Sequence, residues 1–264
     1  MVFVIAQISD VHIGGSRAGT SERFSDAVDA INSMTSQPDL VLVTGDITDH
    51  GEPAEWGEFR SLITPLIAPW EAIRGNHDRR IEELAGHRSL DLGELHLVLV
   101  DTSADTFDDA DAEWLDADLT EHRGWPTVIA IHHPPFETGI WWMDCVGLRG
   151  AERFEAVVRR HPQVLHVMSG HVHRPITTAW GSCLLTVCPS TSGAVAGDLD
   201  PRHEPAETRE PPMIAMHAYV GDTVVTHVVA VGPAATRTPI STKAPEFVAW
   251  AKQQQTTRTS RFAR

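Results

Sequence analysis

Seven side chains of the kinds that bind divalent metals stand at the ends of apolar runs: Asp10, His12, Asp46, Asn76, His132, His171 and His173. They fall in five short clusters, DVH at Asp10, GD at Gly45, GNHD at Gly75, HH at His132 and GHVH at Gly170. Each residue alone has an ordinary explanation. Asp10 suits a turn, Asn76 a left-handed bend, and His132 a packed ring before two prolines. Together they form a donor set of carboxylate, imidazole and amide oxygen without thiolate, which suits Mn, Fe or Zn in a catalytic site rather than a structural zinc. Seven donors are too many for one open catalytic ion. If Asp46 bridges, they divide into Asp10, His12, Asp46 and His173 around one ion, and Asp46, Asn76, His132 and His171 around another. Two ions about 3.5–4 Å apart clamp the attacking and departing oxygens of a phosphoryl centre and lower the pKa of a bound water, which is hydrolytic equipment. In SGHVHRP (residues 169–175) an extended backbone would point His171 and His173 to the same side, so that one strand end feeds both ions.

The elements that must position these residues alternate. VFVIAQIS, LVLVT, APWEAIR, LHLVLV, TVIAI and VLHVMS each precede a polar cluster, and such continuous runs read as strands buried on both faces. Between them, Phe24, Ala27, Val28, Ile31 and Met34 follow a capping-type Ser21 at helical spacing, and Trp56, Phe59 and Ile63 repeat the pattern. Residues 111–122 and 151–160 complete the helices. The class is α/β, with a ligand site at the C-terminal edge of the strands. After Pro175, residues 176–180, 182–187, 213–219 and 223–231 read as strands without intervening helices, the last two joined by a turn at Gly221-Asp222, and predict a second, largely antiparallel sheet.

Composition restricts the partners. The 36 acidic against 21 basic residues give a formal charge of −15, a field that repels polyanions, so duplex nucleic acid is excluded as a partner. Three cysteines with no CxxC pair point to a reduced, cytoplasmic setting. The apolar start MVFVIAQ is too short for a leader or a membrane span and reads as a first buried strand. Residues 1–232 form one catalytic domain. Residues 233–264, richer in Lys and Arg, form a tail that is either disordered or an arm on a partner subunit, and a homodimer is expected from base rates. Either the long segment from Gly197 to Pro212 or a neighbouring subunit is expected to cover the metal cleft. His133 is a candidate support for His132. Arg79 and Arg80 are candidates to meet a phosphate, and Trp141, Trp142, Met143 and Asp144 to wall a substrate pocket.

DVH, GD, GNHD, HH and GHVH, in this order between Asp10 and about Pro175, resemble the five-block signature of calcineurin-like metallophosphoesterases. The resemblance implies a four-layer sandwich of two mixed β-sheets flanked by helices, and two metal ions held as divided above. It also implies that His77 faces the substrate and protonates or stabilises the leaving oxygen, with Asp78 orienting it, and that Asn76, His77 and His173 meet the substrate. GDITDHGEPAEW (residues 45–56) and WMDCVGL (142–148) are similar to class III cyclic nucleotide phosphodiesterases and glycerophosphodiesterases. The activity implied is hydrolysis of small phosphodiesters by metal-hydroxide attack on phosphorus. A phosphomonoesterase, a nuclease for short single strands and a non-catalytic metal-binding scaffold are the alternatives. The acidic charge argues against the nuclease, and a non-ligand His77 beside the metals argues against the scaffold.

Overall fold

Strand β1 (Val2–Ile8) runs parallel to β2 (Leu40–Thr44), and β2 runs parallel to β3 (Trp70–Ile73). In this computed structural model, which describes residues 2–232 and 238–257, the same sheet continues on its other side through β12 (Met213–Val220) and β13 (Thr223–Ala230), both antiparallel to their neighbours. A second sheet has the order β4-β5-β6-β7-β9-β8, built from β4 (Arg88–Asp91), β5 (His96–Val100), β6 (Thr127–Ile131), β7 (Val164–Ser169), β8 (Ile176–Trp180) and β9 (Cys183–Val187). The two sheets face each other across Ile5, Leu42, Ile73, Leu97, Leu99, Val128, Ala130 and Met168. Helices α1 (Thr20–Asn32) and α2 (Pro53–Ile63) cover the outside of the first sheet. Helices α3 (Asp109–Glu121) and α5 (Ala151–Arg160) cover the second. The four-layer sandwich of two mixed sheets flanked by helices is therefore the observed architecture.

Among the described residues, strands 176–180, 182–187, 213–219 and 223–231 do not form the separate antiparallel sheet expected after Pro175. The four strands were identified, but β8 and β9 extend one sheet and β12 and β13 the other, where each pair takes up the unpaired backbone N–H and C=O groups of an existing edge. Ser21 does not cap α1 either. Gly19 occupies that position with φ 81°, while the Ser21 hydroxyl donates to Glu58 on α2. Strand β4 and the short helix α4 (Trp141–Asp144) had no legible period, being only four residues each. Beyond the sandwich, residues 245–257 of the basic tail form helix α6, with Phe247 and Trp250 exposed. None of the described helices is long and apolar enough to cross a membrane.

Between the sheets lies a polar chain that ends at the ligand-bearing edge. His217 Nε2 donates to Gln7 Oε1 (2.9 Å), and Gln7 Nε2 donates to Thr44 Oγ1 (2.8 Å) and Ser169 O (2.9 Å). Gln7 thus joins β1, β2 and β7 immediately before the segments that carry Asp10, Asp46 and His171. His166 packs beside His217, its ring nitrogens engaged by Tyr219 and Thr186 hydroxyls. Burial pushes both imidazoles down, His217 to about 3. Because the folded values lie below the unfolded one near 6.5, the unfolded chain binds more protons as pH falls. Stability is therefore lost from about pH 6.5 toward pH 3, by about 1.4 kcal/mol per pH unit for each ring. In His217→Leu the slope of unfolding free energy against pH, from urea titrations between pH 6 and 4.5, is expected to be shallower by about one ring's share. Equal slopes in the two proteins would refute the assignment.

Candidate metal centre

Five strand ends deliver the seven predicted ligands to one edge of the sandwich. Asp10 and His12 follow β1, Asp46 follows β2, Asn76 follows β3, His132 follows β6, and His171 and His173 follow β7. Past the strands, β1 and β2 remain tied by Asp10 N to Gly45 O (3.0 Å) and His12 N to Asp46 O (2.9 Å), and Gly170 N donates to His132 O (2.9 Å). Close approach here depends on small residues. A Cβ on Gly75 would stand 2.1 Å from Asp46 Oδ1, and one on Gly45 would stand 2.4 Å from His132 Nδ1.

Asp10, His12, Asp46, His171 and His173 all adopt positive φ, between 49° and 70°. Asp and His are among the non-glycine residues that tolerate this region, in single bends. The extended reading of GHVH is thereby corrected: His171 (φ 70°) and His173 (φ 56°) sit in successive left-handed bends, which send the two rings to different neighbours. His173 Nε2 lies 3.4 Å from Asp10 Oδ1 and 3.2 Å from His12 Nε2. The His171 ring instead lies 5.3 Å from that of His132 and 4.5 Å from that of His133.

Hydrogen bonds on the outer nitrogens fix which nitrogens face inward. His12 Nδ1 donates to the Asp49 carboxylate (2.9 Å), His173 Nδ1 to Gly193 O (3.0 Å) and His132 Nδ1 to Thr44 O (2.7 Å). In its unprotonated form each ring therefore presents an Nε2 lone pair to the interior. Two such lone pairs, of His12 and His173, confront each other at 3.2 Å with the Asp10 and Asp46 carboxylates alongside. His132 Nε2, His171 Nε2 and Asn76 Oδ1 are buried without any hydrogen-bond partner. Lone pairs and carboxylates facing one another, with orphaned acceptors beside them, are an arrangement that a cation satisfies and that hydrogen bonding within the protein does not.

Asp46 stands between the two groups. Its Oδ2 is 3.7 Å from His12 Nε2 and its Oδ1 is 3.4 Å from His132 Nε2, and Oδ1 also accepts from His77 N (3.0 Å). Burial opposes ionisation of this carboxyl, yet His132 and the other rings beside it hold it well below the usual carboxylate range. Burial likewise opposes a charge on His132, but the Asp46 carboxylate outweighs it and lifts the ring to about 10. His171 behaves oppositely: burial, reinforced by His133 and His132, pushes it down to about 3 and keeps it an unprotonated donor.

His77 borders the centre. Its Nδ1 donates to Asp49 O (2.6 Å), while its Nε2 lies 3.9 Å from Asp46 Oδ2 and its side chain is 37 % exposed. The orienting partner is thus Asp49, not Asp78. The Asp78 carboxylate accepts from Ile47 N, Thr48 N, Thr48 Oγ1 and Gly75 N, pinning the GD and GNHD segments together. Burial, and then repulsion from Asp46, push its carboxyl up. Asp49 was missed as a functional residue, although its place three residues after Asp46 in GDITD was a usable signal. Its carboxylate holds His12 and its carbonyl holds His77. Arg79 and Arg80 are engaged elsewhere, by Asp105 and Glu52. His133 is buried, bonded to Thr102 Oγ1 (3.0 Å), with Nε2 3.2 Å from Asp105 Oδ1.

In front of these groups lies a cavity of about 640 Å³, lined by His12, Asp46, Asn76, His77, His171 and His173. Trp142 and Met143 from α4, together with Arg17 and Arg149, also line it. The segment from Gly197 to Pro212 reaches its rim. Within it, β11 (Glu207–Thr208) pairs with β10 (Ala194–Val195), and Glu207 enters the lining.

Buried carboxylates and imidazoles that could hold a metal ion gather at the strand ends of a two-sheet sandwich, and residues 3–175 match the calcineurin-like phosphoesterase family. The chain belongs to that family. It is 30 % identical over 255 residues to a probable glycerophosphodiester phosphodiesterase of Arcobacter nitrofigilis, covering 87 % of this chain and 93 % of the relative. It is 32 % identical over 211 residues to a probable cyclic nucleotide phosphodiesterase of Synechococcus, covering 73 % and 82 % respectively. In fold it is similar to a dimetal phosphatase from Danio rerio, with a TM-score of 0.66 at 15 % identity over 87 % of this chain and 96 % of that one.

Proposed function

We propose that this protein is a metal-dependent phosphodiesterase acting on small phosphodiesters, either cyclic nucleotides or glycerophosphodiesters. The observation that carries the reading is the gathering of Asp10, His12 and His173, and of Asp10, Asp46 and His132, each group with its ligand atoms within 4.8 Å of one another, beside a substrate-sized cavity that Asp46, Asn76, His171 and His173 line. Asp10, His12, Asp46 and His173 would hold one ion, and Asp46, Asn76, His132 and His171 the other, with Fe, Mn or Zn suited to these donors. When bound, two such ions supply Lewis acidity at the phosphoryl oxygens and a water of lowered pKa. The chain contributes orientation and proton delivery. Asp49, Gly193 and Thr44 fix three imidazole tautomers, so that Nε2 is the nitrogen offered inward. His77, its Nδ1–H committed to Asp49 O, presents Nε2 to the cavity, where a proton on that atom passes to the departing alkoxide. The free cysteines Cys145, Cys183 and Cys188 support a cytoplasmic setting, and a homodimer remains the expected assembly.

A pair of chromogenic substrates tests the bond type. Metal-loaded protein is expected to hydrolyse bis(p-nitrophenyl) phosphate with a kcat/KM at least about tenfold above that for p-nitrophenyl phosphate, a discrimination of about 1.4 kcal/mol. The reverse order would replace the diesterase by a phosphomonoesterase.

A further inference from the structure

Arg17 and Glu207 meet at the cavity from segments far apart in sequence. Arg17 Nε donates to Glu207 Oε2 at 3.0 Å and Nη2 donates to Oε1, while Nη1 reaches Ser192 Oγ at 3.3 Å. The pair is planar and forked, and neither charge is left over. A guanidinium so engaged keeps spare N–H groups, and the carboxylate keeps spare lone pairs, so donors and acceptors stand side by side with no net charge. That combination matches vicinal hydroxyl groups, each of which donates to a carboxylate and accepts from a guanidinium. It offers nothing to a second anion, and Asp46, Asp49 and Asp105 lining the same cavity oppose one. The apolar lining of Trp142, Met143 and Val146 has no such discrimination to make.

We propose that the Arg17–Glu207 pair reads vicinal hydroxyl groups on the alcohol portion of the substrate and sets a preference for diol-bearing, glycerol-like phosphodiesters over esters of simple alcohols. The proposal rests on the phosphodiesterase reading above and assigns its specificity to two residues outside the metal centre. A site that hydrogen-bonds a substrate hydroxyl loses that interaction with an analogue lacking it. The Glu207 side chain is 59 % exposed, so the discrimination is about tenfold rather than a thousandfold.

Ethyl p-nitrophenyl phosphate and 2,3-dihydroxypropyl p-nitrophenyl phosphate share charge and leaving group and differ in two hydroxyls. The metal-loaded wild-type protein is expected to favour the dihydroxypropyl ester by about tenfold in kcat/KM, mainly through KM. In Arg17→Gln and Glu207→Gln the ratio falls to about one, while the rate on the ethyl ester stays within about threefold of wild type. Glu210→Gln is the control, since Glu210 ties the same segment to Arg174 (2.8 Å) without lining the cavity, and it keeps the preference. Thermal melts establish that each variant is folded, and Glu207→Gln alone suffices if the Arg17 variant is not. A wild-type ratio near one would overturn the proposal. So would equal losses on both esters in the two variants, or loss of the ratio in Glu210→Gln, each of which marks the pair as a strap that only holds the segment in place. Hydrolysis of neither ester by the wild-type protein would instead overturn the phosphodiesterase reading beneath it.

Discussion

Asp46→Ala is expected to leave the protein purified without added metal nearly metal-free and to lower kcat/KM on a phosphodiester at least about a thousandfold, beyond the 10- to 100-fold typical of an outer-shell contact. The size follows from position. One Asp46 oxygen faces His12 and the other faces His132, so a single substitution removes an anionic donor from both halves of the centre. It also removes the acceptor for His77 N, loosening the backbone on which Asn76 and His77 sit. Of the proposed ligands, Asp10 is then the one carboxylate left among the retained rings, an arrangement that burial makes costly. Elemental analysis of the protein beside initial rates is the measurement. Full metal content with full activity in Asp46→Ala would remove this residue from the centre.

His77→Ala should separate chemistry from metal binding. None of the seven proposed ligand side chains is altered, so metal content is expected to match wild type, while turnover falls by about 10²–10⁴-fold. The loss should depend on the leaving group. A p-nitrophenolate departs with little need of a proton, whereas an alkoxide from glycerol or ribose does not, so the deficit is larger for alkyl esters than for aryl esters. Rates across a series of diesters with leaving groups of graded pKa provide the test. A uniform deficit, or one accompanied by loss of metal, would make His77 a structural residue rather than a proton donor.

The strand ends were legible because parallel strands buried on both faces leave continuous Val, Ile and Leu runs that stop abruptly at polar residues, as VFVIAQIS does before Asp10. What was not legible depends on contacts between distant segments. The assignment of β9 beside β7, and of β12 beside β1, follows from which backbone edge each strand pairs with, and no local period records that. The bends at His171 and His173 were misread as extended, because positive φ at a histidine is set by the closeness of Asp10, whose two oxygens both accept from His171 N at 3.0 Å. Asp78 was given a catalytic part from its adjacency to His77. Adjacency along a short 3-10 turn points neighbouring side chains apart, and the carboxylate went into the interior. Arg79, offered to a phosphate, was taken by Asp105, a partner 26 positions away.

Five of the proposed ligands stand in left-handed bends, which also bears on the life of the protein in a cell. Each non-glycine residue held there costs about 1 kcal/mol, and together they approach the 5–15 kcal/mol that separates folded from unfolded chains of this kind. Ions that bind only the folded form return free energy in proportion to the logarithm of their concentration. Metal supply is then expected to govern abundance as well as rate. A shortage withdraws support from the strained edge, raises the unfolded fraction available to proteases, and thins the population of protein before any question of catalysis arises.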